Sequence, residues 1–543
     1  TMHLPSLLLV PILGLATAQT SFNNPVIWQD HPDLDVFRVG SSYYYSSSTF
    51  AYSPGAPVLR SYDLVNWEPV SHSVPSVSSF GSAYSLEGGK RAYVKGIWAS
   101  TLRYRASSNT FYWLGCIESS KTYVFSSPGG PSRGENMTEA DWNWTKRAEI
   151  PTCYYDAGLF IDDDDSMYVA YGNGQIRVAQ LTAASNGDLR ETKNQLVYSH
   201  SGSGTVEGAR MYKFRGNYYI FVTRPADAEL VLKAASPFGT YTQRAFVDRM
   251  SGPLTNAGFA HQGGIVDTPD GKWFYVAFLD AYPGGRIPVI APLNWDGSGW
   301  PSVVKDGSGG WGKSYPLPVN TTRKVAGNMG LGMDAFRAGR LGHAWEWNHA
   351  PDDTKWGLLP EGGLRLRTAT ITGDLFSARN TLTHRIAGPK SRGTFRVDVS
   401  GMKDGDRAGA VLFRDIAAYI GVHKTGNTAS VVVVDNLNLV EGTWTTSSTG
   451  RVAATGATLS ASTGEIWLRV QADITPAFGT NTGRQATFSY SLDGGKTFAP
   501  LGSGFAMSNS WRYFTGYRYG VFNFATKAVG GEVKVKSFSM ELV

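Results

Sequence analysis

The chain has 543 residues, 42% of them hydrophobic, with 63 glycines and a formal charge of +6. Beyond the N-terminus no apolar run is long enough to cross a bilayer as a helix, and the positive charge forms no basic run; a membrane-spanning helix bundle and a nucleic-acid footprint are both excluded. Aromatic residues at 13% and scarce helix-period stretches favour short strands joined by turns, while two cysteines, Cys116 and Cys153, are too few for a disulfide-framed fold or a zinc site.

The N-terminus reads as an address. Thr1 precedes an initiator-like Met2, an apolar run covers residues 7–15, and Ala16-Thr17-Ala18 supplies a small-x-small cleavage site. Residues 1–18 are therefore expected to be an extra residue and a signal peptide, with a secreted chain starting near Gln19. The triplets that begin at Asn136, Asn143 and Asn320 have the form of glycosylation acceptors, in keeping with that route. In an oxidising compartment Cys116 and Cys153 either pair or remain two buried thiols, and the sequence does not choose.

Residues 19–325 then repeat one pattern five times: a leading polar or aromatic residue, an apolar strand, a tight turn and an aromatic-rich strand. The copies are DLDVFRVGSSYYYSSST from Asp33, WASTLRYRASSNTFYWLGC from Trp98, DAGLFIDDDDSMYVAYG from Asp156, EGARMYKFRGNYYIFVTR from Glu207 and HQGGIVDTPDGKWFYVAFLD from His261. Their spacing of 51 to 65 residues and their hairpin content predict a five-bladed β-propeller, each blade burying its apolar face on its neighbour. Residues 307–330, rich in Gly and Pro, read as a linker. From 331 to 543, alternating segments such as GTFRVDVSG and ATFSYSLDGGKTF predict a C-terminal β-sandwich. The fold class is all-β. The sandwich segments carry no converging acids, so the sandwich is expected to be structural.

Asp33, Asp156 and Glu207 lead three of the five blades, which directs three carboxylates towards one axis. Glycosidic bond hydrolysis needs one carboxylic acid to protonate the leaving oxygen and a second carboxylate to activate water or attack the sugar. A third nearby can hold the acid protonated by like-charge repulsion. Asp33 and Asp35 share one strand face by the period of two, so spacing alone does not select between them, and Asp30 is a more distant candidate. The run from Asp162 to Asp165 reads as a solvated turn.

The motifs His31-Pro32-Asp33, Ser48-Thr49-Phe50, Gly96-Ile97-Trp98-Ala99, Asp156-Ala157-Gly158, Glu207-Gly208 and Gly285-Arg286, together with residues 345–349 and 519–527, resemble glycoside hydrolase family 43 over nearly the whole mature chain. The resemblance implies an inverting enzyme with Asp33 as general base, Glu207 as general acid and Asp156 as the residue that tunes the acid. It places His261 near the axis, against the alternative of a satisfied core histidine, and makes Arg286 a buried donor to sugar hydroxyls and the acids in place of a surface arginine. Phe50, Trp98 and Tyr155 lie close to the repeat starts and are expected to be pocket walls, with core aromatics as the alternative. No cofactor is expected to be required; the resemblance leaves room for a structural Ca2+ on the axis near His261. Ser100-Thr101 stands where the family pattern leads one to expect a proline and an acid, which puts the second blade's share of the pocket in question. By overall resemblance the substrate is arabinoxylan and its branched oligosaccharides, with release of the O3-linked arabinose of doubly substituted xylose, by a monomer with no nucleic-acid or membrane partner. A β-xylosidase is the alternative within the family, and a non-catalytic carbohydrate-binding propeller the alternative outside it.

Overall fold

The structure, a computed structural model, describes residues 20–184, 188–460 and 464–543; the expected leader lies outside the described residues. Short 3-10 turns are the only helical elements among them. Five four-stranded antiparallel sheets, each with its strands in chain order, form the propeller. Their innermost strands are Asp35–Val39, Thr101–Arg105, Gly158–Ile161, Glu207–Phe214 and His261–Asp267. These five strands touch one another in a closed ring.

The period of two explains why blades must stack. In the third blade, strand Gln175–Ala183 turns Ile176 and Val178 towards Met211, Ile220 and Val222 of the fourth. The opposite face sends Ala179 and Leu181 towards Tyr112 and Leu114 of the second. Neither face is finished without a neighbour. The ring is fastened by Ser21–Asn23 pairing with Ser314–Pro316. This corrects the reading of residues 307–330 as a plain linker: Trp311 and Tyr315 are buried in the propeller core, so part of the stretch closes the ring.

The C-terminal domain stacks a nine-stranded sheet on an eight-stranded one, with Phe395, Leu468 and Phe538 facing Leu412, Ile420 and Val431 in the shared core. The eight-stranded sheet ends on Tyr52–Ser53, a two-residue strand of the propeller paired with Trp347–Asn348. Three further devices lock the domains together. The Asp30 carboxylate accepts from the backbone N–H of Arg286 (2.7 Å) and of Gly516 (2.9 Å). Glu346, fully buried, takes Arg385 at 2.8 Å, Arg518 at 2.6 Å and His72 of the propeller at 3.1 Å. Burial opposes its charge, yet the two arginines hold its carboxyl well below the usual range. Finally, Gly516 lies so close to Gly284 that an added Cβ would sit 2.3 Å from the Gly284 carbonyl oxygen, so only glycine fits there. Asp30 is therefore an interdomain anchor and not a pocket acid.

Candidate active site

The three candidate acids reach one pocket, but from connections as much as from strands. Asp33 and Asp156 lie two residues before their innermost strands, in the left-handed region at φ 54° and 51°, whereas Glu207 opens its strand. The left-handed turn swings each aspartate off the strand's own alternation and into the axis. Asp35, which spacing could not separate from Asp33, is fully buried and structural: Arg103 pairs with it, and Thr101 Oγ1 (2.7 Å) and Leu102 N–H (3.0 Å) donate to it.

The Asp33 carboxylate is fixed at both oxygens, by Arg286 Nη1 at 2.6 Å and by Ser48 Oγ at 2.6 Å. Arg286 Nε donates to the Phe514 carbonyl at 3.0 Å, and its buried Nη2 has no protein partner. Asp156 accepts from Gly208 N–H at 3.2 Å. Glu207 Oε2 accepts from Asn173 Nδ2 at 2.8 Å and from the Tyr155 hydroxyl at 3.3 Å. Phe50, Trp98, Tyr155, His261 and Arg286 all line the same cavity, of about 370 Å³. Trp98 also meets Tyr155 edge-on, 6.3 Å between ring centres.

Residues 22–301 match the model for Glycosyl hydrolases family 43. The chain belongs to glycoside hydrolase family 43. Residues 333–541 match the Beta xylosidase C-terminal Concanavalin A-like domain. A Beta-xylosidase of Formosa agariphila is 26% identical, over 98% of this chain and 93% of its own. A Non-reducing end alpha-L-arabinofuranosidase of Bacteroides ovatus is 27% identical, over 75% of this chain and 77% of its own. A solved structure, described as an engineered GH43 glycoside hydrolase that displays both endo-xylanase and exo-arabinofuranosidase activity, is 62% identical. It covers 96% of this chain and 100% of its own, with a TM-score of 0.93.

Within this family 43 pocket the acids perturb one another. Burial first, then the charges of Glu207 and Asp33, pushes the Asp156 carboxyl well above its ordinary value; Arg210 and the Gly208 N–H act in the opposite direction. Burial also raises Glu207, the Tyr155 hydrogen bond pulls it back, and Asp33 raises it. His261 Nδ1 lies 2.9 Å from the Phe259 carbonyl, and its Nε2 lies 3.9 Å from Asp280. One imidazole and one carboxylate are too few of the oxygen donors that calcium takes, and among the described residues no cluster of three His, Cys, Asp or Glu side chains is placed to hold a metal. The donor set at His261 does not fit a protein-built calcium cage, and no step is assigned to such an ion.

Several features escaped the sequence reading. Arg210, 1% exposed, sits at the axis and donates to the carbonyls of Leu34 (3.0 Å), Asp33 (3.1 Å), Ser100 (3.1 Å) and Ala157 (2.5 Å), tying four blades together under the acids. An arginine within the otherwise apolar GARMY segment was the available signal. The second blade's unusual Ser100 and Thr101 serve the frame: Ser100 Oγ accepts from Trp113 and Thr101 Oγ1 joins Asp35 to Leu159 N–H. That blade reaches the cavity through Trp98 and Ala99. The acidic run of the third blade is not merely solvated, since Asp162 binds Lys213 (2.6 Å) and Tyr218 (2.5 Å) while Asp165 pairs with Arg105. Cys116 and Cys153 are joined as a disulfide three residues before Asp156.

The sandwich, expected to be structural and not a separate enzyme, also shapes the pocket. Phe478, Trp511 and Phe514 of that domain form one wall of the cavity, and Phe514 stacks on Phe50 at 5.9 Å. Buried Arg414 fastens the loop of Trp511 and Phe514 by donating to the carbonyls of Thr515 (2.8 Å) and Ser510. A propeller ending at residue 325 is thus expected to lose at least about 100-fold in kcat/KM, because the wall and the carbonyl that orients Arg286 both leave with the sandwich. Soluble expression of that fragment with full activity would refute this role.

Proposed function

We propose that this family 43 enzyme is an inverting α-L-arabinofuranosidase that removes arabinose branches from arabinoxylan, the O3-linked arabinose of doubly substituted xylose. The observation that carries the reading is the convergence of Asp33, Asp156 and Glu207 on one cavity, about the size for a single pentose with its attachment point. The 62% identical structure described as displaying exo-arabinofuranosidase activity supports the choice of sugar.

The chemistry follows from the placement of the groups. A water in the pocket gives a proton to the Asp33 carboxylate as its oxygen bonds to the anomeric carbon. The glycosidic C–O bond breaks, its electron pair goes to the leaving oxygen, and Glu207 protonates that oxygen. Arg286 and Ser48 hold the base carboxylate in one orientation. The charge of Asp33, and that of Asp156 where it is ionised, favours the protonated form of the acid.

A second reading, β-xylosidase, is favoured by the aromatic wall from the sandwich, which closes one side of the cavity, and by the Formosa agariphila relative named for that activity. Product analysis on a mixture of doubly substituted arabinoxylan oligosaccharides and linear xylo-oligosaccharides separates the two. We expect arabinose to appear first, with loss of the doubly substituted signals in the proton NMR spectrum. Faster release of xylose from the linear chains would select the xylosidase reading.

A further inference from the structure

Glu207 Oε2 already accepts two hydrogen bonds from the protein, and one of its donors belongs to no motif used so far. Asn173 ends the strand Met167–Asn173 of the third blade, at the outer rim of the site. Its Oδ1 accepts from Thr205 Oγ1, which fixes the amide so that Nδ2 points at Glu207 Oε2, 2.8 Å away. The turn itself is strapped to the chain that leads into Glu207: Gly174 N–H donates to the Val206 carbonyl at 2.8 Å, and His200 N–H to the Gly174 carbonyl at 2.8 Å. The amide therefore has one orientation: it comes from the blade next to the one that carries the acid and is held by Thr205, on the chain that leads into the acid.

A protonated carboxyl has one hydroxyl oxygen and one carbonyl oxygen, and an oxygen that accepts from both an amide N–H and a phenol is the carbonyl one. We propose that Asn173, held by Thr205, is a positioning residue for the general acid: by occupying Oε2 it keeps the transferable proton on Oε1, the oxygen left free to meet the leaving group. This rests on the reading of Glu207 as the acid. Burial pushes the Tyr155 phenol up, so it remains a donor and works in the same sense. Without Asn173 the proton is shared between the two oxygens, and the carboxyl is free to rotate away from the glycosidic oxygen.

The test compares substrates that need the acid with substrates that do not. Asn173→Ala, Asn173→Asp and Thr205→Val would be assayed on arabinoxylan oligosaccharides and on a dinitrophenyl arabinofuranoside, whose leaving group departs without protonation; xylo-oligosaccharides and the dinitrophenyl xyloside run in parallel. For Asn173→Ala and Asn173→Asp we expect kcat/KM on the oligosaccharide to fall about 10- to 100-fold, while the dinitrophenyl glycoside stays within about threefold. Thr205→Val should move the same way by less. In Asn173→Ala the alkaline limb of the oligosaccharide profile should also move to higher pH, because a donor to the carboxylate is lost. The other ionisable groups that face Glu207, namely Tyr155, Asp156 and Asp33, are unchanged in that variant. Equal losses on both substrate types, or none, would overturn the inference. Glu207→Gln is the control: it should lose the oligosaccharide and keep the dinitrophenyl glycoside. If it keeps both, the assignment of Glu207 as acid is what has failed.

Discussion

Asp33→Asn is expected to lower kcat/KM by on the order of 10³-fold on every substrate, activated or not, because deprotonation of water is needed whatever the leaving group. The fold should survive, since the amide keeps the shape of the carboxylate and one oxygen for Arg286 or Ser48. Two further measurements give the result its meaning. Added azide, an anionic nucleophile that needs no base, should restore turnover of the dinitrophenyl glycoside and give a glycosyl azide of inverted configuration. Early-time NMR of the wild-type reaction should show the inverted anomer first. A retained product would make Asp33 something other than the base of an inverting pair. Asp35→Asn offers the contrast: it leaves Arg103 buried without its counter-charge, so the expected loss is of folded protein and not of turnover.

Much of this arrangement was legible in the sequence, for a physical reason. A blade cannot bury its apolar face alone, so the propeller must write its hairpin repeatedly, and the repeats make Asp33, Asp156 and Glu207 equivalent in the sequence alone. What repetition could not convey is how the chain enters each blade. The left-handed residues Asp33 and Asp156 break the alternation that made Asp33 and Asp35 look interchangeable. Long-range partners were equally silent. Arg210 is one arginine in an apolar strand until three other blades present carbonyls to it. Phe478, Trp511 and Phe514 lie more than two hundred residues from the nearest candidate acid in sequence, and nothing in the alternation of a sandwich strand says which of its loops faces a neighbouring domain. Asp30 and Gly516 meet only because that loop is pressed against the propeller.

The acid's neighbour is the remaining point at which geometry and charge can be tried against each other. Asp156 and Glu207 compete for one proton in a buried site. Asp156 is the deeper of the two, which favours its neutral form, but Arg210 and the Gly208 N–H favour its anion. If the anion is Asp156 and the acid Glu207, the repulsion between them keeps Glu207 protonated into the working pH range. Asp156→Asn removes that repulsion. The Glu207 carboxyl should then titrate lower, the alkaline limb of the kcat/KM profile should move to lower pH, and kcat on unactivated substrate should fall by about 100-fold. Stability should change in the opposite sense. An acid whose folded pKa lies above its unfolded one is destabilising once the pH exceeds the unfolded value, near 4 for a carboxyl, so the burden of Asp156 is present at neutral pH and absent in acid. The amide carries no such burden. A Tm higher by about 1–3 °C at neutral pH, vanishing below pH 4, is therefore expected alongside the loss of activity. A variant with the wild-type profile but the raised Tm would mean that Asp156 already holds the proton at rest, and the acid would have to be sought in a different assignment of the pair.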